Sequence, residues 1–115
     1  MNVYALVDKK AKTVAGIFVS VNDQTAVRSF EDLLFRLEDN LYNTNPQDFI
    51  ICNAGYWSYE DHLILDNAAF GNVVADGSSY SKAIIDSKRL ERAEYYRSLA
   101  DLKNGGVANG IDSEE

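Results

Sequence analysis

The sequence predicts an α+β fold: a small antiparallel sheet (β-β-α-β-β) packed on one amphipathic helix, with an additional C-terminal helix and a disordered tail. Three observations predict it. Residues 22–41 repeat apolar side chains at three- and four-residue spacing. Segments on either side are short, apolar and rich in β-branched and aromatic residues. The connections between them are brief enough for antiparallel neighbours. With 115 residues and 46% hydrophobic side chains, the chain suits a single packed core. The boundaries fall at 1–76 for a compact domain, 77–103 for the C-terminal helix and 104–115 for a disordered acidic tail.

Val3-Tyr4-Ala5-Leu6-Val7 alternates and lacks glycine and proline, so it reads as the first strand. Asp8 to Thr13 is a charged connection holding Lys9, Lys10 and Lys12. Gly16 to Val21 is the second strand, with Ile17, Val19 and Val21 on one face and Phe18 and Ser20 on the other. The helix follows, capped by Asn22 or Asp23, with Ala26, Phe30, Leu33, Leu34, Leu37 and Leu41 on its apolar side. Asn43-Thr44-Asn45-Pro46 must end it, because asparagine favours turns and proline biases its predecessor away from helix.

Phe49-Ile50-Ile51-Cys52-Asn53 is apolar on both faces, which suits a central strand, and Gly55 to Tyr59 continues it. Glu60-Asp61 marks a turn, and His62-Leu63-Ile64-Leu65 is the fourth strand. A loop from Asn67 and a short fifth strand at Asn72–Ala75 follow, then a break at Asp76–Ser79. From Tyr80 to Lys103 the composition is helical, with a thin apolar stripe on Ile85, Leu90, Ala93, Tyr96 and Leu99. Asn104-Gly105-Gly106 reads as its stop.

Catalytic chemistry finds no support in the residues. His62 is the only histidine and Cys52 the only cysteine, without the spacing of a zinc site. Cys52 reads as a core residue, and Glu60 and Asp61 as turn residues. The expectation is therefore no enzyme, no metal ligand and no cofactor. No apolar run reaches the roughly 20 residues of a membrane span, so no membrane partner is expected, and the N-terminus lacks the features of a signal peptide.

The net charge is −7. It opposes indiscriminate nucleic-acid binding, but it is unevenly spread. Residues 37–79 contain no lysine or arginine, whereas 1–36 and 80–103 are slightly basic. Screening over about 8 Å lets a local basic patch act by itself. Tyr56, Trp57 and Tyr59 cluster on one hairpin. The expectation for Trp57 is packing against the helix, which leaves Tyr56 and Tyr59, with Tyr96 of the last helix, as protein-interface residues.

Several pieces in order and spacing resemble a known family. They are Val3-Tyr4-Ala5-Leu6-Val7-Asp8-Lys9-Lys10-Ala11-Lys12, Asn22-Asp23 with Ala26, Arg28 and Phe30, Asn45-Pro46-Gln47-Asp48-Phe49, and Gly55 with Trp57. Together, over residues 2–66, they look like the small non-structural protein of gokushovirus-type microviruses, which are single-stranded DNA phages. The resemblance implies a non-enzymatic accessory protein in the host cell cytoplasm, serving viral single-stranded DNA replication. The turn at Ser58–Asp61 departs from the family by lacking a glycine, and the region after Asp76 extends beyond the family's usual end.

The polar members of the pattern are Asp8, Lys10, Asn22, Asp23, Arg28 and Asp48. Two readings follow. In the first, Lys9, Lys10, Lys12 and Arg28, joined by Lys88, Arg89 and Arg92, contact single-stranded DNA or a phage replication protein. In the second, the acidic hairpin and the C-terminal helix make an adaptor or a homo-oligomer.

Overall fold

A computed structural model describes residues 1–66 and 71–111, with side chains described as far as residue 103. The predicted α+β class is the observed one. The elements are β1 (Asn2–Asp8), β2 (Thr13–Ser20), α1 (Asp23–Leu34), α2 (Leu41–Thr44), β3 (Phe49–Ser58), β4 (His62–Leu65), β5 (Val73–Asp76) and α3 (Lys82–Ile111). Single 3-10 turns at Pro46–Asp48 and Gly77–Ser79 precede β3 and follow β5.

The sheet is antiparallel in the order β2-β1-β3-β4, and β5 also pairs with β3. β4 and β5 divide one edge of β3 between them. β5 lies along Ile50–Cys52 and β4 along Gly55–Ser58. The apolar third strand is thus central, as its two-faced hydrophobicity predicts. An irregularity in the β1–β3 register falls between Val3 and Tyr4, which oppose Gly55 and Asn53. Gly55 is required next to it. A Cβ there would collide with the Ile64 carbonyl oxygen of β4, and its φ of +157° is one that L side chains rarely adopt.

One face of the sheet carries α1. Tyr4, Leu6, Phe49 and Ile51 from the strands meet Ala26, Phe30, Leu34 and Phe35, and Ile85 of α3 completes the core. Asn22 caps α1 by accepting from the Thr25 N–H at 2.8 Å. Asp23, the other predicted cap, instead accepts from the Tyr4 hydroxyl at 2.6 Å and from Asn53 Nδ2 at 3.4 Å. Burial, then the Asp23 hydrogen bond, raises the Tyr4 pKa. Tyr4 is fully buried and stacked on Phe18 at 5.5 Å, so it offers no face to a nucleic-acid base.

Two expectations about helices are corrected. α1 stops at Leu34, and Leu37 and Leu41 are 46% and 57% exposed rather than part of its buried stripe. Local asparagine chemistry overrides the periodicity. Asn40 and Asn43 form a reciprocal capping box that starts the separate turn α2, and Asn40 Nδ2 donates to the Leu33 carbonyl at 3.0 Å. The second correction concerns α3, whose bounds of Lys82–Ile111 enclose the Asn104-Gly105-Gly106 stop. Glycine costs a helix only about 1 kcal/mol relative to alanine, a weaker interruption than proline. Of the predicted tail, 112–115 lie outside the described residues, as does the predicted loop at 67–70.

α3 leaves the domain behind. Thirty residues make a helix about 45 Å long. The radius of gyration is 19.1 Å, against about 13 Å for a compact domain near this size.

Candidate partner-binding surface

The four basic residues predicted to act together occupy different surroundings. Asp8 begins the β1–β2 turn by accepting from the Ala11 N–H at 2.9 Å, and Lys12 closes it with a φ of 59°. Lys10 and Lys12 are exposed in this turn and make no ion pair among the described residues. Lys9 is tied back: its N–H donates to the Asp48 carbonyl at 2.7 Å, and its ammonium lies 3.6 Å from Asp76. Burial works against ionisation of Asp76, but the Ser78 N–H and hydroxyl and the Lys9 charge outweigh it and hold the carboxyl below its ordinary pKa.

Arg28 sits elsewhere, on α1 beside β2. Its expected i,i+4 partner, Asp32, is engaged by Arg36 at 3.5 Å and by Arg92 at 2.9 Å. Arg28 itself has no carboxylate partner among the described residues. It lines an apolar groove of about 620 Å³ between β2 and α1, floored by Phe18, Phe30 and Leu33.

Arg89 and Arg92, candidates for an extended basic patch, are structural. Arg89 donates to the carbonyls of Arg36 and Leu37, both at 2.7 Å, and to Asp39 at 2.8 Å. Those carbonyls belong to the segment just beyond α1, so Arg89 ties that segment to α3. The Arg92 guanidinium also lies 5.9 Å from the Phe35 ring centroid. Lys88 pairs with Glu91 along α3. Nearby, the Tyr80 hydroxyl donates to Glu31 at 2.9 Å, and burial together with this carboxylate pushes its pKa up to about 12.

The aromatic expectations divide. Tyr56, Tyr59 and Tyr96 are exposed, Tyr59 most of all at 82%. Trp57 does not pack under α1. It is 42% exposed, pairs with Leu63 of β4, and turns to the sheet face opposite the helix. Register explains this. Asn2, on the helix side with Tyr4, pairs with Tyr56, so alternation sends the next residue the other way. That opposite face also exposes Val14, Ile17, Val19, Leu63, Leu65 and Val73. His62, directly after the Ser58–Asp61 turn, has a φ of 59°. Cys52 is buried in β3 opposite Val73, whereas His62 opposes Ser58 at the far end of the strand. Burial raises the Cys52 pKa.

Comparison with protein families places these features. A family model described as Phage ORF5 protein matches residues 1–80. The chain belongs to this family. The ORF5 match covers the whole sheet, α1 and both hairpins, and it ends just before α3 begins at Lys82. It makes the chain a phage protein. Comparisons with curated proteins and with solved structures return no match.

Sequence reading missed the groove. Its signal was present in Thr13-Val14-Ala15-Gly16-Ile17-Phe18-Val19-Ser20, eight strand residues without a charge or a proline. The division of labour among the arginines was not readable, because it depends on which carboxylates the fold brings within reach.

Proposed function

We propose that this ORF5-family protein is a non-enzymatic accessory factor of a gokushovirus-type microvirus, acting in viral single-stranded DNA replication by contacting DNA or the replication complex. The observation that carries this reading is the distribution of free positive charge within the family-matched part. Among the described residues Lys10, Lys12 and Arg28 have no carboxylate partner, whereas Lys9 and Arg36 are paired. Unpaired, exposed cations are the ones available to neutralise phosphates without first breaking an internal contact. Their action is local, because the chain as a whole carries −7.

The test is fluorescence anisotropy of a labelled oligo-dT strand over a salt series. Three phosphate contacts give a slope of log affinity against log salt of about −2, and each removed contact reduces it by about 0.7. The Lys10→Ala, Lys12→Ala double variant is expected to bind more weakly and with a shallower slope. Absence of binding at low salt, or an unchanged slope, overturns the DNA reading.

A second reading is favoured by α3, which leaves Leu90, Tyr95, Tyr96, Leu99 and Leu102 exposed on its projecting part. Tyr95, Leu99 and Leu102 follow four- and three-residue spacing, the spacing of a helix-pairing seam. Here the protein is a self-associating adaptor in the same host cytoplasm. Light scattering of the full chain tests it: a dimer mass that falls to monomer in Leu99→Lys supports it, and a monomer from the start overturns it.

A further inference from the structure

We propose that the outer edge of β2 and the groove beside it form a docking site for an extended acidic peptide, which adds to the sheet as a strand next to β2. Three observations converge on this assignment. β2 ends the strand order and pairs only with β1, so its other edge presents backbone N–H and C=O groups without a ladder partner among the described residues. Sheet edges are ordinarily protected by lysine, proline or a covering element. β2 has eight residues with no charge and no proline, and its alternate side chains Ile17 and Val19 are 68% and 52% exposed. An edge of this composition is a template for another strand.

The second observation is the groove of about 620 Å³ directly beside that edge, between β2 and α1. A strand added to β2 would send alternate side chains toward α1, over Phe18 and Leu33, which are only partly buried against the core. The remaining side chains would extend the apolar surface of Ile17 and Val19. Strand addition supplies affinity through main-chain hydrogen bonds, and a flanking pocket supplies selectivity.

The third observation decides the charge of the occupant. Arg28 and Arg36 line the groove with Asp32, and Asp32 is already engaged by Arg36 and Arg92. Among the described residues, that leaves Arg28 as an uncompensated cation at the wall. A carboxylate from an Asp, a Glu or a peptide C-terminus is the group whose shape and charge match a guanidinium. A basic peptide would meet like charge. The site shares Arg28 with the DNA reading, which stands also on Lys10 and Lys12, so the two are told apart by the lysines and by the β2 edge.

The experiment selects peptides from a random library of about ten residues against the immobilised full-length protein, then measures the enriched sequences as synthetic peptides in solution. Alternating apolar residues with Asp or Glu are expected. Binding should fall about tenfold or more in Arg28→Glu and persist in the Lys10→Ala, Lys12→Ala variant. Hydrogen exchange should slow at β2 amides when peptide is added. Arg28 is exposed and stands outside the buried core, so its replacement leaves the core intact. Lack of enrichment, a basic consensus, affinity unchanged by Arg28→Glu, or β2 exchange unchanged by peptide each overturns the proposal. A β2 edge closed by a second copy, seen as a stable dimer that excludes peptide, also overturns it. Oligo-dT binding measured on the same variants separates the two readings: loss on Lys10 and Lys12 replacement reports DNA, and loss of peptide on Arg28 replacement reports the groove.

Discussion

The two long helices are attached to the same domain by different physics. α1 is held through area. Ala26, Phe30 and Leu34 are completely buried against the sheet, and each large side chain contributes on the order of 1.5–3 kcal/mol. α3 is held through points: the buried Ile85, the Arg89 fork onto the Arg36 and Leu37 carbonyls, and Arg92 between Asp32 and the Phe35 ring. The family match includes α1 and ends before α3. The core therefore closes within the matched region except for Ile85, and the added helix holds on to the segment that follows α1.

Breaking the first attachment should have the largest effect. Phe30→Ala empties a fully buried site and is expected to cost about 3–5 kcal/mol, read as a lower midpoint in urea unfolding. An ordinary surface-sized loss would mean that α1 is not the core element described. Ile85→Ala should cost about 2–4 kcal/mol by the same cavity argument, with its effect concentrated on α3. Arg89→Ala sharpens the contrast further. It should speed hydrogen exchange in the first turns of α3 while leaving β1 and β3 protected, at a global cost of about 1–2 kcal/mol.

The contact between α1 and Tyr80, two residues before α3, adds a pH signature. Tyr80 has a folded pKa of about 12, above its ordinary value near 10, because burial and Glu31 favour the neutral phenol. A raised folded pKa gives stability that is complete below the unfolded pKa and is lost as pH rises through the folded one. Denaturation midpoints should therefore decline between about pH 10 and 12, and Tyr80→Phe should remove that part of the decline. The smallest effect belongs to a turn. His62→Gly relieves a left-handed residue at the start of β4 and should raise stability by up to about 1 kcal/mol, seen as a small rise in Tm.

Periodicity made much of this architecture legible. β1, β2, β3 and β4 follow from alternation and apolar runs, and Phe30 and Leu34 declare their burial through spacing. The failures share a cause. Leu37 and Leu41 continue the helical spacing, but Asn40 and Asn43 hydrogen-bond the backbone into a new start, and pattern counting ignores that competition. Trp57 was placed under the helix from its hydrophobicity, while the register of β1 against β3 decides its face. For the candidate site, the lysine-bearing turn and Arg28 were visible as residues. That Arg28 would be left unpaired beside an open strand edge depends on where Arg36 and Arg92 reach, and those contacts exist only in three dimensions.

The central position of β3 also has a consequence for the order of synthesis. β1 pairs with β2 on one edge and with β3 on the other, and the second pairing joins Tyr4 to Asn53. On a ribosome, the β1–β2 hairpin and α1 emerge before β3 does. At about 5–20 residues per second, completing β3 after α1 takes roughly one to five seconds. Throughout that interval both edges of the nascent hairpin are open at once. The turn carrying Lys9, Lys10 and Lys12 stands at one end of that hairpin, where charge flanking apolar strands disfavours pairing between neighbouring chains.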